Sequence, residues 1–328
     1  MDKEVLPMKN ILAVIAALCA MVALVTASSQ VIASSRYALN ICADLILPSL
    51  FPFFVMCGLL SRLGFPAFLG RLLAPAASRL FRVSGAGASA LVVGLSGGYP
   101  MGAAYIADMQ QRGEISLHEA ERLLAFCNNS GPAFIIGAIG VGAFGSVKIG
   151  LTLYLIHICA AIVTGILLCG TGKSEEASVA LVGHPEHMRF SAALPEAVRQ
   201  AVLSVLNVCG FVVCFTVFAG LLDAGGFFST AAGLIASATN TELHWAQALL
   251  TGLLELGSGT AAMRQLGVSP HSLALASWIL GWGGISVHFQ TMSVLADTDI
   301  KCTLHLAGRI LSACIGAVLS CIAGYIFF

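Results

Sequence analysis

Charged residues are scarce in this sequence. They make up 10% of its 328 residues, and the 16 Lys and Arg balance the 16 Asp and Glu. So few charges cannot cover the surface of a soluble protein of this size, and a net charge of zero argues against nucleic acid as a partner. Hydrophobic residues reach 58% and the mean hydropathy is +0.93. The composition therefore predicts an all-α polytopic membrane protein whose surroundings are the lipid bilayer.

Signatures of enzymes and metal sites are absent from the sequence. It has no Cys-x-x-Cys pair, no His-Glu-x-x-His, no phosphate loop, and no Gly-x-Ser-x-Gly accompanied by a catalytic triad. His184 and His187 lie in the hydrophilic stretch 171–199, which is more typical of a solvated loop than of a metal site. We expect no enzyme, no metal and no cofactor, with H⁺ or Na⁺ left open as a coupling ion.

Two polar interruptions, rich in glycine and proline, lie within the otherwise apolar stretch 91–145. The first covers residues 94–103 and the second covers residues 126–134. Their apolar flanks are shorter than the ~20 residues that a helix needs to cross a bilayer. Glycine and proline weaken a helix, and open backbone at membrane depth survives only inside protein or beside a watery cavity. Each break is therefore a predicted substrate site.

The two halves of the chain show the same series of segments. Each has an apolar span, a linking segment, two segments broken by glycine-rich stretches, and a plain span. The first linking segment, 62–82, carries four arginines, whereas its counterpart, 223–244, has neither Lys nor Arg. The positive-inside rule places the first in the cytoplasm and the second on the opposite side. We therefore predict two inverted-topology repeats, with re-entrant hairpins at 84–111 and 245–265 and broken transmembrane helices at 116–144 and 267–297.

This organisation divides the chain into four parts. They are an N-terminal transmembrane helix at 1–38, a first membrane repeat at 39–170, a cytoplasmic linker at 171–199 and a second, inverted membrane repeat at 200–328. The apolar run of the N-terminal helix is 11–33, and the next span is 39–61. The N-terminal helix fits either a signal anchor or a signal cleaved near 25–28. Inverted repeats that bind substrate near the membrane midplane are the architecture of secondary transporters.

The candidate substrate-binding residues lie in or beside the breaks. They are Ser96, Gly97, Gly98, Tyr99, Pro100, Asn128, Asn129, Ser130, Gly131, Gly257, Ser258, Thr260, Trp282, Gly283, Gly284, Ser286 and Gln290. Helices that restart at Pro100 and Pro132 would present unpaired N–H groups, which suit a small anion. Tyr99 or Trp282 would stack on an aromatic ring. Alternatively, these residues only satisfy opened backbone and let helices pack closely, a reading as strong as the first for Ser258 and Thr260.

Ionisable residues inside apolar runs are candidates for ion coupling. Glu255 is the acid that lies deep in such a run, and His288 is a second candidate because histidine titrates near neutral pH. A structural role for Glu255 beside backbone or Arg264 is an equal alternative. Asp44, Asp108 and Arg309 lie nearer the ends of their segments, so we expect them at the membrane interface.

Three motifs resemble a known family. Residues 97–103, 121–132 and 281–288 are similar to the YlbJ-type sporulation integral membrane proteins, within the group that carries nucleoside-recognition Gate domains. The resemblance implies an integral membrane protein of a spore-forming bacterium, in the mother-cell-derived outer forespore membrane. It also implies transport of dipicolinic acid towards the developing spore, by a fold like the core of concentrative nucleoside carriers. Cys127 departs from the family pattern, where Thr is expected.

Two other functions stay open beside the carrier of a small organic anion. One is a nucleoside or nucleobase carrier of the same fold. The other is a structural membrane protein of spore maturation that transports nothing. Small-residue faces at 132–145 and 313–324 would permit a homo-oligomer, although packing within one chain explains them equally.

Overall fold

A computed structural model of the protein describes residues 8–170 and 188–327, and its regular secondary structure in these ranges is helical. The helices are α1 (Met8–Thr26), α2 (Ser28–Arg62), α3 (Phe65–Phe81), α4 (Gly87–Ser96), α5 (Met101–Gln111), α6 (Leu117–Cys127), α7 (Ala133–Ala143), α8 (Val147–Leu168), α9 (Phe190–Ala224), α10 (Phe227–Thr239), α11 (Leu243–Leu254), α12 (Leu256–Ala262), α13 (Pro270–Trp282), α14 (Gly284–Val294) and α15 (Thr303–Phe327). Within the described ranges, α2, α8, α9, the pair α13–α14 and α15 are long and apolar enough to cross a membrane. The predicted polytopic helical protein is confirmed at this level.

After α1, one order of seven helices occurs twice, as α2–α8 and as α9–α15. The helices α2 and α9 have 35 residues each. Each is followed by a left-handed glycine, Gly64 with φ 84° and Gly226 with φ 74°, and then by a short helix. Glycine adopts this conformation readily at the end of a helix, so each 35-residue helix ends and the next helix begins at an equivalent point. The two halves therefore share a backbone plan.

The two 35-residue helices pack against each other in opposite directions. A Cβ atom added at Gly58 would lie 3.5 Å from the Cβ of Ala197, whereas one added at Gly220 would overlap the hydroxyl of Ser34. The end of α2 therefore packs on the beginning of α9, and the beginning of α2 packs on the end of α9. The first helices of the two halves, α2 and α9, are therefore antiparallel.

Four interruptions separate pairs of short helices. The backbone opens at 97–100 between α4 and α5, at 128–132 between α6 and α7, at Glu255 between α11 and α12, and at Gly283 between α13 and α14. The Tyr99–Pro100 peptide bond is cis. Three of the openings lie where the glycine-rich motifs predict them. The remaining opening, between α11 and α12, lies before the glycines of its motif. The backbone there is extended at Glu255 and helical again over 257–260.

Some predicted boundaries differ from those in the structure. The apolar run 11–33 is divided, since α1 ends at Thr26 and α2 begins at Ser28. The helix α2 continues through the polar residues Gln30 and Ser34, whose side chains line a cavity. Similarly, α9 begins at Phe190, inside the predicted linker 171–199. The residues His184 and His187 lie outside the described residues.

The residues Ser116 and Glu119 have the spacing of a capping box at the start of α6, and half of that box is formed. Ser116 Oγ accepts a hydrogen bond from Glu119 N at 3.2 Å, as an N-cap residue does. The side chain of Glu119 does not complete the box. It accepts instead from Ser84 N at 2.6 Å and so ties the segment before α4 to α6. This contact positions the α4–α5 turn against the α6–α7 break.

Candidate substrate site

The α4–α5 turn lies on the α6–α7 break with backbone against backbone. A Cβ atom added at Gly98 would come within 2.8 Å of Gly131 N, and one added at Gly94 would overlap the carbonyl oxygen of Cys127. Side chains at these positions would push the two segments apart. The glycines of the first motif are therefore needed for contact between turn and break.

The second half repeats this arrangement. A Cβ atom added at Gly284 would lie 3.1 Å from Leu256 N and 3.2 Å from Leu254 O, so the α13–α14 break lies on the turn at Glu255. The indole of Trp282 fixes the same contact, because its Nε1 donates to Leu253 O at 3.0 Å. Each turn is held by the break of its own half.

Two hydrogen bonds join the halves at the centre. Tyr99 OH, from the first turn, donates to Leu280 O at 3.2 Å, next to the second break. The amide of Asn128, from the first break, donates to Thr291 Oγ1 in α14 at 2.8 Å. All four openings therefore belong to one connected core.

A small cavity lies where both turns, the first break and α14 meet α2 and α9. Its volume is about 40 Å³, which is room for water but well below the ~150 Å³ of a cavity that accepts benzene. Eight predicted residues line it, namely Gly97, Gly98, Tyr99, Ser130, Gly131, Glu255, Gly257 and Gln290. The rest of the wall is apolar and includes Ile46, Leu50 and Phe54 from α2 and Val208 and Val212 from α9.

The other predicted residues lie beside or behind this cavity. They are Ser96, Pro100, Asn128, Asn129, Ser258, Thr260, Trp282, Gly283, Gly284, Ser286 and His288. The hydroxyls of Ser96 and Thr260 donate to carbonyls of their own helices, Val92 O at 2.6 Å and Leu256 O at 2.8 Å. These two hydroxyls are thus hydrogen-bonded within their own helices. The ring of Trp282 stacks edge-on against His288, with ring centroids 4.3 Å apart, and does not line the cavity.

Two larger cavities, here called vestibules, flank the small one. The first, about 520 Å³, is lined by the end of α2, with Gly58 and Arg62, and by the beginning of α9, with Ala197. The second, about 420 Å³, is lined by the beginning of α2 and the end of α9. Because α2 and α9 are antiparallel, the vestibules lie at opposite ends of the pair. The small cavity shares Phe54 with the first and Glu255 with the second, so it lies between them.

Glu255 separates the small cavity from the second vestibule. Its side chain is buried, with 2% of the residue exposed. The carboxylate accepts hydrogen bonds from Gly257 N at 2.8 Å and Ser258 N at 2.5 Å, at the start of α12. Ser286, which is also fully buried, has its side chain beside this carboxylate. The acid is thus held by backbone N–H groups and faces two water-accessible spaces.

Arg309 is a core residue, and its predicted interfacial position is wrong. The residue is 0% exposed. Its Nη1 donates to Asn128 O at 2.9 Å, and its Nη2 donates to Asn129 Oδ1 at 2.9 Å. The α15 helix packs on α6, α8 and α13, which covers the end that the sequence suggested would face water. Asp44 also departs from the prediction, because it lies near the midpoint of α2, in the π-helical turn Cys42–Ile46.

Two further histidines complete the core behind the first break. His157 Nε2 accepts a hydrogen bond from Ser130 N at 3.2 Å. His288 Nδ1 and His305 Nε2 lie 3.2 Å apart, and His305 Nδ1 lies 3.2 Å from Leu124 O. Single histidines in apolar helices carry no spacing signal, so the sequence did not single out His157 or His305. Among the described residues, no group of three or more His, Cys, Asp or Glu could hold a metal ion.

Comparisons with known proteins agree with this architecture. The family model described as "Nucleoside recognition", named Gate, matches residues 45–172. The chain is also 32% identical over 311 residues to a sporulation integral membrane protein of Bacillus subtilis (strain 168), covering 87% of this chain and 75% of that protein. No solved structure matches the chain. The fold and site thus define a polytopic helical membrane protein of the nucleoside-recognition class. More particularly, the chain belongs to the family of the sporulation integral membrane protein YlbJ.

Proposed function

We propose that the protein is a secondary carrier that moves a small organic anion across the membrane, with dipicolinate (pyridine-2,6-dicarboxylate) as its cargo. The observation that carries this proposal is the position of the small cavity. Both turns, the first break and α14 line it, and it lies between vestibules at opposite ends of the α2–α9 pair. A site reachable in turn from two ends is what alternating access requires.

Inverted topology is part of the proposal. The seven-helix order occurs twice, and the first helices of the two halves, α2 and α9, are antiparallel. The arginines of 62–82 and their absence from 223–244 also favour opposite orientations. The helices α4 and α5 have 10 and 11 residues, about half of a span, which suits a re-entrant hairpin. We propose the same for α11 and α12.

The chemistry of the cavity suits a small aromatic anion. Backbone at Ser130 and Gly131 leads into α7, whose first N–H groups carry partial positive charge. The ring of Tyr99 lies in the wall and would stack on a pyridine ring. The present volume is too small for dipicolinate, so binding requires one turn to move away from its break. The sporulation name of the Bacillus relative supports a place in the outer forespore membrane.

Glu255 is the proposed coupling residue. A carboxylate in the wall would repel an anionic cargo in the low dielectric of the core. Protonation of Glu255 removes that repulsion, so we propose that a proton binds together with the cargo. The proton would arrive from the second vestibule, which Glu255 also lines. His288, the other predicted coupling residue, lies behind the break and is the alternative carrier of the proton.

Reconstituted protein tests both parts of this function. Proteoliposomes with an imposed pH gradient should take up labelled dipicolinate saturably and above equilibrium. The variant Glu255→Gln should lose accumulation on the order of tenfold or more while keeping exchange of bound cargo, because it mimics a permanently protonated acid. The control is Glu242→Gln, an exposed acid before α11. Absence of saturable uptake by the wild-type protein would refute the carrier function.

A nucleoside or nucleobase carrier is the second candidate, favoured by the description of the matching family model. Thermal-shift measurements separate the two. Dipicolinate should raise the melting temperature of the detergent-solubilised protein, and uridine and guanine should not. Stabilisation by uridine or guanine, with none by dipicolinate, would favour the second candidate. No stabilisation by any of them would favour a structural role in spore maturation.

A further inference from the structure

A positive charge is buried in the core without an acidic partner. Arg309 is completely buried, and none of the described acidic side chains forms a salt bridge with it. Its Nε atom has no hydrogen-bond partner among the described residues. Burying a charge is costly unless it is paired and fully hydrogen-bonded. Among the described residues, the part of the core around Arg309 therefore has an unbalanced positive charge.

The groups around Arg309 do not supply the missing negative charge. Those within electrostatic range are Tyr99 from the first turn, Cys127 from α6, His157 from α8, His288 from α14 and His305 from α15. None of them is an aspartate or glutamate. The two oxygens that accept from the guanidinium belong to neutral groups, the backbone of Asn128 and the amide of Asn129.

The charge lies directly behind the cavity wall. Asn129, which accepts from Arg309, is followed in the chain by Ser130 and Gly131, and these two line the cavity together with Tyr99. Arg309 itself does not line the cavity. Its field reaches the cavity through a thin layer of protein, where screening by water is weak.

We propose that Arg309 is the positioning residue that makes the cavity selective for anions, and that a carboxylate of the cargo supplies its missing counter-charge. The inference rests on the proposed carrier function and adds the source of its charge selectivity. The two hydrogen bonds from Arg309 to Asn128 and Asn129 then hold the first break at a fixed position relative to the guanidinium. The loss of binding affinity caused by removing the charge of Arg309 should then increase with the number of negative charges on the ligand.

A series of ligands that differ in charge tests this inference. Dipicolinate has two negative charges, pyridine-2-carboxylate has one, and pyridine-2,6-dicarboxamide has none. Calorimetry in detergent should show that Arg309→Gln weakens binding of the dianion on the order of a hundredfold and of the monoanion on the order of tenfold. The diamide should bind both proteins equally. Arg309→Lys, which keeps the charge, should keep the order of affinities.

A second pair of variants leaves Arg309 in place. Asn129→Asp adds a negative charge beside the guanidinium, whereas Asn129→Ala removes the same amide without adding charge. Both lose the hydrogen bond from Asn129 Nδ2 to Phe126 O, 2.6 Å long in the wild type. Only Asn129→Asp should weaken binding of the dianion more than that of the monoanion while leaving binding of the diamide unchanged. This comparison applies even if Arg309→Gln does not fold.

A purely structural role for Arg309 predicts a different result. Its variants would then weaken all three ligands equally, or none of them, and either outcome overturns the inference. If the wild-type protein binds none of the pyridine ligands, dipicolinate is not the cargo. The same variants are then compared by thermal shift with malonate and malonamide. Stabilisation by malonate that depends on Arg309 supports the inference, and its absence overturns it.

Discussion

Arg82 and Asn240 have the same left-handed backbone, with φ 52° and ψ 42° at both residues. Arg82 follows α3 and Asn240 follows α10, so the two occupy matching positions in the two halves. Left-handed backbone costs an L-residue about 1–2 kcal/mol, and asparagine tolerates it better than arginine. The two halves keep this turn although the residue types differ. The path of the chain after the short helix is therefore part of what the halves have in common.

Glycine at these two positions should stabilise the protein. Arg82→Gly removes the steric cost of the left-handed turn, and we expect the free energy of unfolding to rise by about 1 kcal/mol. Asn240→Gly should give a smaller gain, because asparagine already tolerates this conformation. Arg122 Nη2 bonds to the backbone carbonyl of Arg82 at 2.5 Å, so the substitution keeps that contact. Unfolding by denaturing detergent measures both effects, and a loss of stability at Arg82 would contradict the assignment.

A side chain at Gly94 should disrupt the site. Its Cβ atom would overlap the carbonyl oxygen of Cys127, so Gly94→Ala must separate the first turn from the first break. We expect a loss of roughly 3 kcal/mol in the free energy of unfolding and loss of cargo binding. Gly210→Ala is the matched control, since nothing lies within 4 Å of its added Cβ atom in α9. That variant should gain up to about 1 kcal/mol from helix propensity. Equal stability of the two variants would refute the close contact.

The close packing of α2 against α9 can be measured by crosslinking. Cys42 Sγ lies 4.0 Å from Cys209 O, where the two helices cross. In a variant that keeps only these two cysteines, mild oxidation should join the helices. Cleavage at a protease site introduced within 171–187 should then release fragments that separate only under reducing conditions. A control that keeps Cys42 and the exposed Cys214 should form little crosslink. Preferential crosslinking of the control would mean that the helices pack differently.

The sequence predicted the places where helices open, because glycine, proline and polar residues inside apolar runs have a direct physical meaning. The openings at 97–100, 128–132 and Gly283 are examples. The opening at Glu255 lies inside the predicted hairpin 245–265, but the turn could not be located more closely within that range. Glycines 257 and 259 belong to the helix that restarts after Glu255. Gly259 allows contact with the backbone of Gly252, while the carboxylate of Glu255 caps the restarting helix.

The polar core behind the first break could not be predicted in the same way. Arg309 and His305 come from α15, His157 comes from α8, and both helices are apolar overall. A single charged residue near the start of such a helix resembles an interfacial anchor in the sequence. Its burial depends on how α15 packs against α6, α8 and α13, and periodicity within one helix contains no information about that packing. Distant partners were therefore missed, while local breaks were found.

The bond between Arg309 and Asn129 also sets the order in which the protein can be completed. A ribosome makes Arg309 180 residues after Asn129, so the first break enters the membrane before its cation exists. Until α15 inserts, the oxygens of Asn128 and Asn129 that later accept from the guanidinium have no such donor. A chain that stops before this helix would keep those buried oxygens without that partner, which costs free energy. Insertion of α15 is thus the step that supplies the first break with its cationic donor.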